Sequence, residues 1–245
     1  MAYIDSFKRV EMKYLLTPEK YTVLRKAIEP YMIADSYGLT TICNIYFDTE
    51  NYRLIRSSID GGEYKEKLRL RSYGIPDENS TVFLEIKKKY DGIVYKRRIG
   101  MNYCEAVDYI EKGIPPQNSS QIFHEIDYFM SFYKPDPKLF LAYERIALYA
   151  ADDKDFRITF DFDIRSRRDK LSLIDGDMGA KLFDDNSVIM EVKVNGAVPF
   201  WLTKILSELK IYKTSFSKYG QIYKKDIVKR SSILCSEASS TLLSV

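Results

Sequence analysis

Seven stretches of the chain carry polar or charged residues two positions apart: Glu11 and Lys13, Arg69 and Arg71, Glu85 and Lys87, Lys96 and Arg98, Tyr143 and Arg145, Asp161 with Asp163 and Arg165, and Glu191 and Lys193. The intervening residues are largely apolar, as in Leu68 and Leu70, Leu84 and Ile86, Phe160 and Phe162, and Val192 and Val194. Residues two apart on a β-strand point to the same face, so each stretch predicts a strand with one charged side and one apolar side. Arg offers a planar fork that meets two phosphate oxygens at once, and Lys a mobile point charge. Glu residues among such cations, in a site for phosphates, are the expected ligands for Mg²⁺ or Mn²⁺. The chemistry these types could do together is phosphoryl transfer along a chain of phosphates.

A solvated face explains any one such strand. Seven of them point to an interior. If every charged face looked outward, the apolar faces would fill the inside of the sheet and leave the amphipathic helices little to cover. A closed barrel of about eight strands, charged within and apolar without, satisfies both and leaves room for a ligand. Burying many like charges costs several kcal/mol per uncompensated ion, so such an interior needs a polyanion and a few carboxylates to complete it.

Eight strands are predicted to carry these residues: 8–16, 41–47, 64–73, 81–89, 93–101, 139–149, 156–166 and 188–195. Helix signals fall between them. Thr17 before Pro18 opens a helix to Tyr31; Asp48 caps a short one through Ile55; Asn102 caps one that stops at Gly113; and Ser120 starts one to Tyr133. Pro199 opens another through Leu209, and a last helix runs from Lys218 to Val228. The fold class expected is α+β: an eight-stranded antiparallel closed β-barrel with helices packed on its outside. Residues 1–228 read as one domain, and 229–245, rich in Ser and small residues, as a disordered tail.

Lys and Arg number 38 against 35 Asp and Glu, a net charge of only +3, so any polyanion site must come from local clustering and a general nucleic-acid binder is not expected. Cys43, Cys104 and Cys235 are an odd number without metal-like spacing, which supports neither a disulfide framework nor a zinc site. No signal peptide and no long apolar run is visible, so the expectation is a soluble, cytoplasmic protein. His124, the only histidine, lies on a predicted helix away from every basic strand pair and reads as a surface or packing residue. Lys88 and Arg97, the middle members of two basic runs, should face away from their neighbours and be solvated or at a rim, and Trp201 should anchor its helix on the apolar exterior.

The runs Glu11-Met12-Lys13-Tyr14, Lys67-Leu68-Arg69-Leu70-Arg71, Leu84-Glu85-Ile86-Lys87, Ala142-Tyr143-Glu144-Arg145, Met190-Glu191-Val192-Lys193 and Phe216-Ser217-Lys218-Tyr219-Gly220 occur in the order and spacing of a known family. Over Phe7 to Val228 the chain resembles the catalytic domain of the vacuolar transporter chaperone (VTC) polyphosphate polymerases, which are triphosphate tunnel metalloenzymes. The resemblance implies an eight-stranded charged tunnel and transfer of the ATP γ-phosphate onto a growing polyphosphate chain with Mn²⁺ or Mg²⁺. It makes Lys13, Arg69, Arg71, Lys87, Arg145, Lys193 and Lys218 the catalytic phosphate ligands, with Tyr143 hydrogen-bonding a phosphate. Lys96, Arg98 and Arg165 join them by strand period. Glu191 becomes the principal metal ligand and Glu11 its helper.

One departure bears on the reaction. Hydrolytic tunnel enzymes open with Glu-x-Glu-x-Lys, and here Arg9 stands at the first position, before Glu11 and Lys13. Loss of that carboxylate disfavours a second metal that would activate water. Asp161 and Asp163 are the neighbours that could replace it. The competing readings are a tunnel triphosphatase acting on inorganic triphosphate or a nucleotide, and a non-catalytic polyphosphate-binding module. ATP and inorganic polyphosphate are the expected partners, with a separate membrane protein that would bring the chain to the inner face of a membrane.

Overall fold

The computed structural model describes residues 9–228 apart from 92, 118 and 119. The expected tail at 229–245 and Cys235 lie outside the described residues. Alternation of apolar and polar side chains becomes eight principal antiparallel strands: β1 (Arg9–Leu16), β3 (Thr40–Asp48), β4 (Tyr64–Tyr73), β5 (Thr81–Tyr90), β6 (Ile93–Asn102), β7 (Asp136–Ala150), β8 (Arg157–Arg167) and β10 (Val188–Asn195). Three short strands add to them: β2 (Met32–Ala34), β9 (Ala180–Lys181) and β11 (Lys213–Thr214). The order across the sheet is β11-β1-β10-β8-β7-β3-β4-β5-β6, with β2 on β7 and β9 on β8.

The expected closed barrel is therefore corrected to an open, curled sheet. β6 pairs only with β5, and the outer edge of β1 is taken by β11, with Lys13 opposite Thr214 and Tyr14 opposite Lys213. At its centre, then, the partner of β1 on that edge is β11 and not β6. Side chains span the gap instead: Lys87 on β5 meets Glu11 on β1 at 2.8 Å.

Local signals place the helices α1 (Pro18–Ala27), α2 (Arg53–Asp60), α3 (Tyr103–Lys112), α4 (Gln121–Tyr133), α5 (Phe200–Glu208) and α6 (218–228). The Thr17 hydroxyl accepts from the Lys20 amide at 3.3 Å, Asn102 and Glu105 form a capping box, and Ser120 accepts from the Phe123 amide at 3.2 Å. Asp48 does cap a helix, but from a distance. Its carboxylate accepts from the Leu54 and Ile55 amides at 2.9 and 3.0 Å, while residues 49–52 form a turn that places Tyr52 in the left-handed region. The helix expected to end at Ile55 thus starts at Arg53.

Four helices lie on the convex side, as expected. α3 and α4 cover Leu68, Leu70, Leu84 and Ile86, and α1 and α5 cover Phe160, Met190 and Val192. Trp201 on α5 stacks on Tyr31 with ring centroids 4.2 Å apart and meets the Phe156 ring edge-on, so it anchors its helix there. The other two helices correct the expectation that all would pack outside. Ile55 of α2 and Tyr219 and Ile222 of α6 are buried with Ile42, Leu139, Leu141 and Ile164 on the concave side. There β3, β7 and β8 present apolar residues inward, and burying each such side chain stabilises the fold by roughly 1.5–3 kcal/mol. α2 and α6 therefore fill half of the concavity and leave the other half to the charged residues.

Candidate active site

The open half of the concavity is a cavity of about 370 Å³. Its walls come from β4, β5 and β6 on one side, β1 and β10 on the other, and the chain from Ser215 into α6 above. Of the sequence-predicted residues, Lys13, Arg69, Arg71, Lys87, Lys96, Tyr143, Arg145, Lys193, Lys218, Glu191 and Glu11 all line it. Twelve Lys and Arg side chains face three Glu there, a local excess that the chain's net charge of +3 conceals.

Three buried carboxylates organise the cations. On one wall Glu191 sits 3.9 Å from Arg145 and 3.8 Å from Lys193, and Lys13 is its cross-strand partner. Burial alone would raise its pKa, but Lys193, Lys13, Arg145 and Lys218 hold it well below the usual carboxylate range. Burial in turn lowers the pKa of Lys13 and Lys193. Behind this group the fully buried Asp161 receives the Arg145 guanidinium through two bonds of 2.6 and 2.8 Å and a close contact from the Lys218 ammonium. Lys218 also lies over the Tyr143 ring at 4.5 Å, so one α6 side chain is fixed from two strands.

On the facing wall Glu85 is 2 % exposed and receives Arg69 through Nε at 2.8 Å and Nη2 at 2.6 Å. Lys96 lies 2.9 Å away, Arg71 3.9 Å and Arg98 4.0 Å. Arg69 also donates to the Tyr46 hydroxyl at 3.1 Å, and Arg71 to Asn44 at 2.9 Å and to the Tyr143 hydroxyl at 3.1 Å. These bonds aim both forks inward. Tyr143 thus acts from beneath Arg71 as well as from the cavity wall.

Two sequence assignments move. Arg98 stands beside the cavity rather than in its lining: its guanidinium rests over the Phe83 ring at 4.6 Å and reaches the Tyr73 hydroxyl at 3.4 Å. Arg165 is on the convex side altogether. It donates to Glu144 at 2.8 Å, to the Asp163 carboxylate at 3.1 Å and to the Asp177 carbonyl at 2.7 Å. The cause is a β-bulge: Ala142 pairs with Arg165 but Glu144 with Phe162, so residues 163 and 164 of β8 oppose Tyr143 alone, and Asp163 takes φ 42°. One extra residue inverts the side-chain parity of everything beyond it. The shared face expected for Asp161, Asp163 and Arg165 holds only for Asp161, which stays within.

Sequence reasoning missed Glu85 as a site residue in its own right, together with Lys65, Lys67, Lys89, Lys224, Tyr46 and Ser217, all in the lining. The signal for Lys65, Lys67 and Lys89 was present, since they continue the two-residue period of Arg69 and of Lys87. Lys67 donates to the Ser217 hydroxyl at 3.1 Å, and burial, reinforced by Lys13, Lys87 and Lys65 and opposed by Tyr46, brings its pKa down to about 8. Lys88 and Arg97 do face away, as expected; Arg97 is solvent-exposed, Lys88 is partly covered, and both pair with Glu125 of α4, at 3.4 and 2.8 Å. His124 is exposed on α4.

Among the described residues no three His, Cys, Asp or Glu side chains gather as a metal cage. Glu191 with Glu11 nevertheless fits a divalent ion that takes one or two carboxylates from the protein and its remaining ligands from phosphates and water.

A curled antiparallel sheet whose concavity gathers Lys and Arg around a few Glu is a basic pocket suited to a polyanion. The family model of the VTC domain matches residues 8–225, and the chain belongs to that family. Among solved structures, it is similar to a Bacillus halodurans protein provisionally called an adenylate cyclase, with a TM-score of 0.56 and 13% identity over 86% of this chain and 95% of that one. A Pyrococcus horikoshii protein is similar with a TM-score of 0.47 and 14% identity over 89% and 99% of the two chains. At 13% identity the likeness to the Bacillus halodurans protein is one of fold. No curated protein matches the sequence.

Proposed function

We propose that this chain is an ATP-dependent polyphosphate polymerase that moves the γ-phosphate of ATP onto the end of an inorganic polyphosphate chain and releases ADP. The observation that carries the reading is the cavity itself, where cations from β1, β4, β5, β6, β7, β10 and α6 converge with no His or Cys in the lining. Phosphoryl transfer needs little covalent chemistry from a protein, only in-line placement of donor and acceptor and neutralisation of charge on the transferring group. Arg69 and Arg71, held by Tyr46, Asn44 and Tyr143, supply fixed forks. Lys13, Lys67, Lys87 and Lys193 supply point charges that can follow the phosphate as it moves, and Lys218 supplies a fixed one. A Mn²⁺ or Mg²⁺ ion held by Glu191 and Glu11 would add charge neutralisation on the phosphate oxygens.

Arg9 at the place of a hydrolase's first glutamate favours transfer over hydrolysis. Among the described residues no helix is long and apolar enough to cross a membrane. Incubation with ATP and Mn²⁺, with products resolved by electrophoresis and ADP assay, tests the reading. ADP accompanied by a phosphate polymer is expected, and Glu191→Ala should lower the rate by at least about 100-fold. Orthophosphate without chain product would replace the polymerase by a triphosphatase. Binding of polyphosphate without turnover would reduce the protein to a binding module.

A further inference from the structure

Glu85 stands at the centre of the basic wall and is not needed for any step above. Its carboxylate is 2 % exposed and has Arg69, Arg71, Lys96 and Arg98 all within 4.0 Å. Arg69 gives it both Nε and Nη2, the donors with which an arginine fork would otherwise meet a phosphate. Asp161 makes a similar bond to Arg145 but lies behind the wall, whereas Glu85 is itself part of the cavity lining. One side chain thus occupies, from inside the cavity, the cations that a central phosphate would use.

We infer that Glu85 is a built-in competitor for the central phosphate subsite, a positioning residue that keeps Arg69 and Lys96 aimed at the cavity and keeps their grip on a phosphate chain weak enough for the chain to advance. This rests on the reading of the cavity as a phosphate-chain site. The physical need is general: a polyanion that must move through an array of cations has to enter favourably and still leave, and deep wells at each position stop it. When a phosphate arrives, the Arg69 fork and the Lys96 ammonium exchange Glu85 oxygens for phosphate oxygens. When it moves on, Glu85 takes them back, so the cations are never left as uncompensated buried charges. Burial alone would raise the Glu85 pKa, but Arg69, Arg71 and Lys96 lower it, so Glu85 is an anion while it holds them.

Glu85→Gln removes the competing charge while keeping the shape. Calorimetric titration with inorganic tripolyphosphate is expected to give a Kd at least tenfold lower than for the unaltered protein, and turnover with ATP should show a lowered KM together with a lowered kcat. A merely structural role would weaken binding or leave it unchanged, and either result overturns the proposal. Glu85→Asp keeps the charge but cannot reach Arg69 and Lys96 at once. A gain of about threefold is expected, and this variant decides the matter if Glu85→Gln does not fold; no gain overturns the proposal. Failure of the unaltered protein to bind tripolyphosphate would overturn the cavity reading along with it. Tighter binding by Glu85→Gln without any chain growth from ATP would leave the role of Glu85 standing and remove only the polymerase.

Discussion

The Lys87 ammonium lies 2.8 Å from the Glu11 carboxylate, joining β5 to β1, two strands that are not hydrogen-bonded neighbours in the sheet. The contact shows how far the sheet curls, and it joins two residues that also line the cavity. Both side chains are partly exposed, so the bridge contributes only about 0.2–1 kcal/mol to stability. Lys87→Ala and Glu11→Gln should shift the urea unfolding free energy by less than about 1 kcal/mol each, while Lys87→Ala weakens tripolyphosphate binding roughly tenfold through the lost charge-assisted bond. A large stability loss from both variants would instead make the bridge the clasp that holds the sheet curled.

Arg69 and Arg165 both belong to strand pairs of charged residues, yet only the first faces the cavity. Arg69→Ala should reduce tripolyphosphate affinity roughly 10- to 100-fold, the cost of a charge-assisted bidentate contact. Arg165→Ala strands Glu144 and Asp177 on the convex side and should cost about 3 kcal/mol of stability in denaturant unfolding. Its affinity for tripolyphosphate should stay within about twofold of the unaltered protein, since long-range charge alone is screened beyond about 10 Å at 0.1 M salt. Loss of affinity to the extent seen for Arg69→Ala would place Arg165 back in the site.

Binding should be coupled to protons. Burial brings Lys67 and Lys96 down to about 8, so near that pH each is only partly charged. A polyanion favours the charged form, raises those pKa values and draws protons from solution. Calorimetry at pH 8 in buffers of different ionisation enthalpy should therefore report net proton uptake on tripolyphosphate binding, and affinity should fall as the pH rises from 7 to 9. Lys67→Arg, which stays charged throughout, should flatten that fall. Proton release, or affinity independent of pH, would contradict the burial assigned to these two lysines.

Asp161 is the anion on which Arg145 and Lys218 depend. Asp161→Asn leaves two cations facing a neutral group in a buried position, and about 3–5 kcal/mol of stability should be lost. Burial works against ionisation, but Arg145 and Lys218 bring the pKa from 3.8 down to about 2. The stabilisation from a depressed carboxylate is complete above its unfolded value and vanishes as pH falls through the folded one, here between about pH 4 and pH 2. Urea midpoints measured from pH 5 to pH 2 should fall less steeply in Asp161→Asn than in the unaltered protein. An identical slope would show that Asp161 is not the group that titrates.

Much of this was legible in the sequence. The caps at Thr17, Asn102 and Ser120 act on amides within three residues, so their outcome is local. The alternation of Arg69 and Arg71 or of Glu191 and Lys193 with apolar neighbours is likewise set by the two-residue period of a strand. From these, the principal strands, the charged inner faces and ten of the cavity residues followed, and the family motif at Phe216 to Gly220 added Lys218. Leu139 and Leu141 precede Tyr143 on the same parity, so the inner face of β7 changes from apolar to polar along its length. That change, which admits α2 and α6 into the concavity, is visible only once the neighbouring strands are known.

By itself, then, the sequence determined which residues form strands and that Arg69, Arg71, Lys87 and Glu191 would share a charged interior, because backbone period and side-chain chemistry are properties of neighbouring residues. Tertiary structure alone decided that the sheet stays open, that Arg165 leaves the site and that Glu85 occupies its centre. Each of these depends on register between distant strands: β11 on the edge of β1, two residues of β8 opposite Tyr143, and Arg69 opposite Glu85. Register is a pairing between segments, and a slip of one residue turns every following side chain to the other face.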